Sequence, residues 1–145
     1  MEAGTRKRKF IIATHGNFAQ GIQSSLEIII GQVENVTLIP AYVDGNKGIE
    51  EELDKVLQAL EQGEELIIFT DLLGGSITNQ ALRQALRENV HIVSGFNLAL
   101  LIEILMADAE TPAATVIETA IVNAREQLVY VNKLIPLNKA DSSND

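Results

Sequence analysis

The sequence predicts an α/β fold, a three-layer sandwich with a mostly parallel sheet and helices on both faces. Four short apolar runs of strand length alternate with longer segments whose apolar residues recur at helical spacing. The chain has 145 residues, 46% of them hydrophobic, which suits one domain with a buried core.

The elements follow in order along the chain. Residues 1–8 are polar and read as a flexible tail. Residues 9–13 (KFIIA) form the first strand. Phe18, Ile22, Leu26, Ile29 and Ile30 then fall near helical spacing, with Asn17 to cap the start and Gly31 to end it. Residues 36–42 (VTLIPAY) form the second strand. Pro40 puts it at a sheet edge or ends it early, because proline donates nothing to a ladder. Asp44, Gly45 and Asn46 make a turn. Leu53, Val56, Leu57 and Leu60 share one face of a second helix over 49–60. Its acidic opening at Glu50, Glu51 and Glu52 is a solvated first turn where negative charge suits the helix dipole. Residues 65–70 (ELIIFT) are the third strand, 76–87 the third helix, 90–94 (VHIVS) the fourth strand and 97–106 a further helix. Thr111 followed by Pro112 marks another helix start, a capping residue and then proline, running to about Ala124. Residues 127–131 (QLVYV) read as a short last strand that could cover the open edge of a four-stranded sheet. A single domain is expected over 9–132, and 133–145 forms a polar C-terminal tail.

Composition removes several functions. There is no cysteine, so disulfides, thiolate metal sites and cysteine nucleophiles are excluded. Twenty acidic residues face eleven basic ones, a net charge of −9, which argues against nucleic acid and against an anionic membrane surface. No apolar run approaches the roughly 18 residues of a membrane span. The basic run at 6–9 precedes only four apolar residues, too few for a signal peptide, so the expected location is the cytoplasm.

In this fold class ligands bind beyond the carboxyl ends of the strands. Thr14, His15, Gly16 and Asn17 follow the first strand. Asp71, Leu72, Leu73, Gly74, Gly75 and Ser76 follow the third, and Gly95, Phe96 and Asn97 the fourth. Topology thus brings a histidine, an aspartate and a glycine-rich helix start to one rim. Neutral imidazole is a good nucleophile near pH 7, since its unperturbed pKa is about 6.5. An aspartate hydrogen-bonded to one ring nitrogen fixes the tautomer and aims the other nitrogen's lone pair. Gly74 and Gly75 allow backbone to approach an anion, and the N–H groups and dipole of the helix opening at Ser76 favour a phosphoryl group. Phosphoryl transfer needs little beyond such positioning and charge stabilisation.

Taken singly these features are ordinary: a histidine after a strand, or a turn before a helix cap. Their meeting at one rim is what points to chemistry. His91 lies near the amino end of the fourth strand, about 10 Å or more from His15, and reads as structural. With no other histidine and no cysteine, neither a transition metal nor any cofactor is expected. Gly16 and Gly21 have the glycine spacing of a phosphate loop, but Ile22 and Gln23 stand where lysine and serine or threonine are required. Asn35, Val36 and Thr37 match a glycosylation sequon that has no meaning in the cytoplasm.

Through Ala13-Thr14-His15-Gly16, Thr70-Asp71-Leu72-Leu73-Gly74-Gly75-Ser76 and Gly95-Phe96-Asn97-Leu98, the sequence resembles the IIA component of the mannose/fructose/sorbose class of bacterial phosphotransferase systems. The likeness runs from about Lys9 to Asn132. Ile77 and Ala99 stand where proline is common in that family, both at structural positions. The resemblance implies that His15 is phosphorylated, that Asp71 is its hydrogen-bonded partner, and that Ser76 with nearby backbone N–H groups holds the phosphoryl oxygens. It implies the histidine phosphocarrier protein HPr as donor and a IIB component as acceptor, with membrane IIC and IID components engaged indirectly. It also implies a homodimer in which residues 127–131 add an exchanged, antiparallel strand. Competing readings are the related subunit serving dihydroxyacetone kinase, a regulatory domain of the same fold phosphorylated as a signal, and a plain small-anion binder. The sugar is not legible, because IIA components do not touch it.

Overall fold

A computed structural model of the protein describes residues 7–135, which form one four-stranded parallel sheet between two helical layers. The strands are β1 (Lys7–His15), β2 (Val36–Ala41), β3 (Glu64–Thr70) and β4 (Val90–Ser94), in the order β2-β1-β3-β4. The helices are α1 (Phe18–Ile30), α2 (Glu50–Ala59), α3 (Ser76–Ala85), α4 (Leu98–Leu105), α5 (Ala113–Arg125) and the short α6 (Val131–Leu134).

Strand periodicity divides the core in two. Phe10, Ile12, Ile67 and Phe69 point to one face, against Ala19, Ile22 and Leu26 of α1 and the apolar faces of α4 and α5. Ile11, Ala13, Leu66 and Ile68 point to the other, against Leu53 and Leu57 of α2 and Ile77 and Ala81 of α3. The central strands are buried on both faces, and their near-continuous runs of Ile, Leu and Phe follow from that. β2 is an edge strand, the first of the two readings Pro40 allowed.

Four expectations are corrected. The first strand begins at Lys7, so Lys7 and Arg8 are not part of a tail, and the rest of the segment expected over 1–8 lies outside the described residues. Arg8 is buried in spite of its charge. Its guanidinium reaches Glu65 at 3.1 Å, the Asp108 carbonyl at 3.1 Å and the Thr111 carbonyl. The Asn17 side chain does not cap α1; the Thr14 hydroxyl accepts the Ala19 N–H instead, at 2.9 Å. Thr111 is no cap either, since its hydroxyl and N–H go to Asp108, and Pro112 stands just before α5 rather than inside it.

The fourth correction concerns residues 127–131 only as a strand within a single chain. Within one chain they pair with no strand. Residues 128–130 are irregular and Val131 opens α6. A β-like sequence forms a strand only where a sheet edge lies within reach, and here the segment is left largely exposed, with Leu128 at 87% and Tyr130 at 65%. Of the polar tail expected over 133–145, Lys133 and Leu134 belong to α6, and residues from 136 onward lie outside the described residues.

Candidate functional site

The candidate site lies at the carboxyl ends of β1 and β3. These two strands are neighbours, paired through Ala13 and Thr70. The chain leaves β1 for α1 on one face and leaves β3 for α3 on the opposite face. Loops that part in this way open a cleft between them, the usual ligand position in a doubly wound sheet.

His15 is the last residue of β1, held in register with Ala41 of β2 rather than carried on a loop. The chain then turns sharply at Gly16, whose φ is 58° and whose N–H donates to the Ala41 carbonyl at 2.8 Å. Asp71, directly after β3, reaches across. Its Oδ2 accepts the backbone N–H of His15 at 2.9 Å and faces Nδ1 of the same residue at 3.0 Å. A carboxylate oxygen can only accept, so Nδ1 carries the proton and the Nε2 lone pair is left free. The Asp71 side chain is only 10% exposed while that of His15 is 43% exposed, so the orienting group is sheltered and the ring is open to a partner.

The loop from Leu72 to Gly75 is pinned from below. Thr78 Oγ1 donates to the Leu72 carbonyl at 2.6 Å and lies 2.7 Å from Thr70 Oγ1, all beneath the turn. Gly74 takes φ 80°, a conformation that costs any residue with a Cβ. Gly75 precedes α3 with no capping side chain. A Cβ built on Gly75 would stand 3.7 Å from Cε1 of His15, the ring carbon next to Nε2. Cε1 lies between the two ring nitrogens, so the helix start and its uncapped N–H groups lie against the His15 ring. Such a terminus favours an anion through its donors and its dipole.

The rim thus joins His15, Asp71, Gly74, Gly75 and Ser76, and it leaves His91 near the amino end of β4, opposite Ile67. Among the described residues no group of three or more His, Cys, Asp or Glu could hold a metal ion. No helix there is long and apolar enough to cross a membrane. Sequence reasoning missed Tyr42 and Gln80. The Tyr42 ring lies 5.8 Å from that of His15, and its hydroxyl lies 2.7 Å from Ser76 Oγ. Gln80 Nε2 donates to the Tyr42 hydroxyl at 2.9 Å. A tyrosine at the end of an edge strand and a glutamine one turn into a helix carry no signal of this meeting.

Comparison with known proteins finds likeness along most of the chain. The family model for the PTS system fructose IIA component matches residues 9–121. A mannose-specific EIIAB component of Escherichia coli is 29% identical over 133 residues, covering 90% of this chain and 41% of the relative. The chain therefore spans about two fifths of the length of that protein. A fructose-specific EIIA component of Bacillus subtilis is 27% identical over 97 residues, 66% of each chain. Among solved structures, a candidate sugar phosphotransferase permease of Klebsiella pneumoniae superposes with a TM-score of 0.83 at 33% identity, over 92% of this chain and 97% of that one.

Proposed function

We propose, on the premise that this chain belongs to the mannose/fructose IIA family of sugar phosphotransferase components, that it is a cytoplasmic phosphocarrier working through His15. It accepts a phosphoryl group from phosphorylated HPr and passes it to a IIB component, which serves the IIC and IID membrane components. The observation that carries this reading is the 3.0 Å contact from Asp71 to Nδ1, which leaves Nε2 free on a ring that lies against the start of α3.

The chemistry follows from that arrangement. Nε2 attacks the phosphorus of the donor's phosphohistidine; the new N–P bond forms as the donor's N–P bond breaks. The proton on Nδ1 stays in place, and Asp71 offsets the positive charge that builds on the ring. The phosphoryl oxygens take hydrogen bonds from Ser76 and the first N–H groups of α3. Attack by a nucleophile on the IIB component then restores neutral His15. No step needs a cofactor. The rim suits a protein partner: Leu72 and Leu73 are 60% and 83% exposed beside the site, and Phe18, itself 51% exposed, stacks on Phe96.

The test is incubation with phosphorylated HPr, followed by mapping of the label. The label should be acid-labile, as a phosphoramidate is. His15→Ala should abolish it and His91→Ala should not. Labelling retained in His15→Ala would sink the assignment. Onward transfer to a IIB component separates a transport role from a signalling one.

A further inference from the structure

We infer that Tyr42 and Gln80 form a directional hydrogen-bond chain whose purpose is to turn the Ser76 hydroxyl proton outward, toward the phosphoryl group on His15; this rests on the phosphocarrier reading above.

The direction is set at the buried end. The backbone N–H of Ile49 donates to Gln80 Oε1 at 2.8 Å. That contact fixes which end of the amide is oxygen, so Gln80 Nε2 must donate to Tyr42 Oη, at 2.9 Å. Tyr42 Oη then has an acceptor role filled and one proton to place. Among the described residues Ser76 Oγ, 2.7 Å away, is the acceptor available to it. Ser76 therefore receives the tyrosine proton and keeps its own to donate elsewhere. Ser76 is the first residue of α3, next to the Gly75 position that faces Cε1 of His15. A hydroxyl that could rotate freely would spend part of its time aiming a lone pair at the anion; one that receives a fixed proton does not.

Two further observations show that the chain is built and held. Tyr42 has φ 64°, a left-handed conformation that is unusual for an aromatic residue and is retained where the surroundings demand it. Gln80 is buried, and its amide fills a slot that only glycine leaves open: a Cβ at Gly48 would stand 2.5 Å from Gln80 Oε1. A tyrosine needed only for packing would require neither a buried amide beneath its hydroxyl nor a strained backbone. Tyr42 and Gln80 are accordingly positioning residues, acting through Ser76.

The decisive variant is Gln80→Glu. The glutamate keeps the shape and still accepts from Ile49, but its second oxygen can only accept. Tyr42 would then give its proton to the carboxylate, and Ser76 would turn its own proton back toward Tyr42. Transfer from phosphorylated HPr should fall on the order of 10-fold or more, matching Ser76→Ala, as expected for one lost donor to a charged group. Tyr42→Phe keeps the ring beside His15 and should lose about 3–10-fold. In the Ser76→Ala background Tyr42→Phe should cost nothing further. If it costs the same there as in the native chain, the tyrosine acts through its ring or the fold and the inference falls. Proton NMR of the unphosphorylated protein tests the geometry apart from the function. A slowly exchanging Tyr42 hydroxyl proton should show a cross-peak to the Ser76 β-protons in the native chain, and should lose it in Gln80→Glu. A native chain that takes no label from phosphorylated HPr would overturn the phosphocarrier reading. A Tyr42 proton directed away from Ser76 would overturn the chain itself.

Discussion

Replacing Asp71 with asparagine is the most informative change at the rim. Oδ2 accepts two hydrogen bonds, from the His15 N–H at 2.9 Å and from Nδ1 at 3.0 Å. An asparagine that places its carbonyl oxygen there keeps both contacts and the tautomer, but loses the charge. A charge-assisted hydrogen bond exceeds a neutral one by about 1–2 kcal/mol, which corresponds to roughly 5–30-fold in rate. If the amide instead turns its NH2 to His15, two donors face each other, and the ring is driven to the other tautomer with its lone pair at the wrong nitrogen. Losses are then larger, as with triad aspartates. The expected fall in transfer is therefore on the order of 10- to 1,000-fold. Because the side chains share a shape, the protein should stay folded, with a melting temperature within several degrees of the native one. Stopped or quenched-flow transfer from phosphorylated HPr reads the rate, and a thermal melt checks the fold. Unchanged kinetics at matched stability would show that Asp71 does not orient or stabilise the ring.

Other outcomes follow from neighbouring features. Gly74→Ala forces a Cβ onto φ 80° and should cost about 1–2 kcal/mol, lowering the thermal midpoint by roughly 2–8 °C; an unchanged midpoint would mean that the loop relaxes freely. Glu64 accepts the Glu61 N–H at 2.8 Å, and this bond, against the cost of burial and with Lys9 at 3.4 Å, holds its carboxyl below the ordinary value of 4.5. A depressed carboxyl stabilises above its unfolded value, and the contribution is lost as pH falls through the folded one. Urea melts should then show Glu64→Gln weaker than the native chain near neutral pH, with the gap closing below about pH 4. Residues 127–131 are exposed and unpaired in one chain, so full-length protein should sediment as a dimer at micromolar concentration while a chain ending at Arg125 gives monomer or aggregate; a full-length monomer would end the strand-exchange idea.

Most of the fold could be read from periodicity. α1 and β4 have the expected bounds, and the other main elements shift by one or two residues at their ends, where hydrogen-bonded length and apolar pattern need not coincide. Burial on both faces leaves long runs such as ELIIFT, and amphipathic spacing marks the helices that cover them. The misses share a cause. Lys7 and Arg8 look like tail because they are charged, yet Arg8 is buried by partners at Glu65, Asp108 and Thr111, far along the sequence. Residues 127–131 have strand composition, but within one chain no sheet edge lies beside them to pair with.

The site was legible to the extent that topology alone determines it. Adjacent parallel strands must bring their carboxyl ends together, so a histidine at the end of β1 and an aspartate after β3 had to meet once those strands were neighbours. What topology leaves open is the direction of each side chain, and that comes from contacts without a sequence signature. Asp71 points at His15 because the backbone N–H of His15 draws its Oδ2; Tyr42 points at Ser76 because Gly16 and Ala41 fix the strand end and Gln80 occupies the slot beneath. The consequence is a division of roles. His15 is held within β1, paired on one side to β2 and tied by its own N–H to Asp71 on the other, so the proposed nucleophile has little freedom to adjust. The exposed Leu72 and Leu73, by contrast, are anchored among the described residues through the Leu72 carbonyl below. On the proposed relay, accommodation of a donor and an acceptor would fall on this loop and on the partners themselves. Changes at Leu73 should accordingly alter transfer from the donor and to the acceptor unequally, whereas changes at Asp71 should slow both.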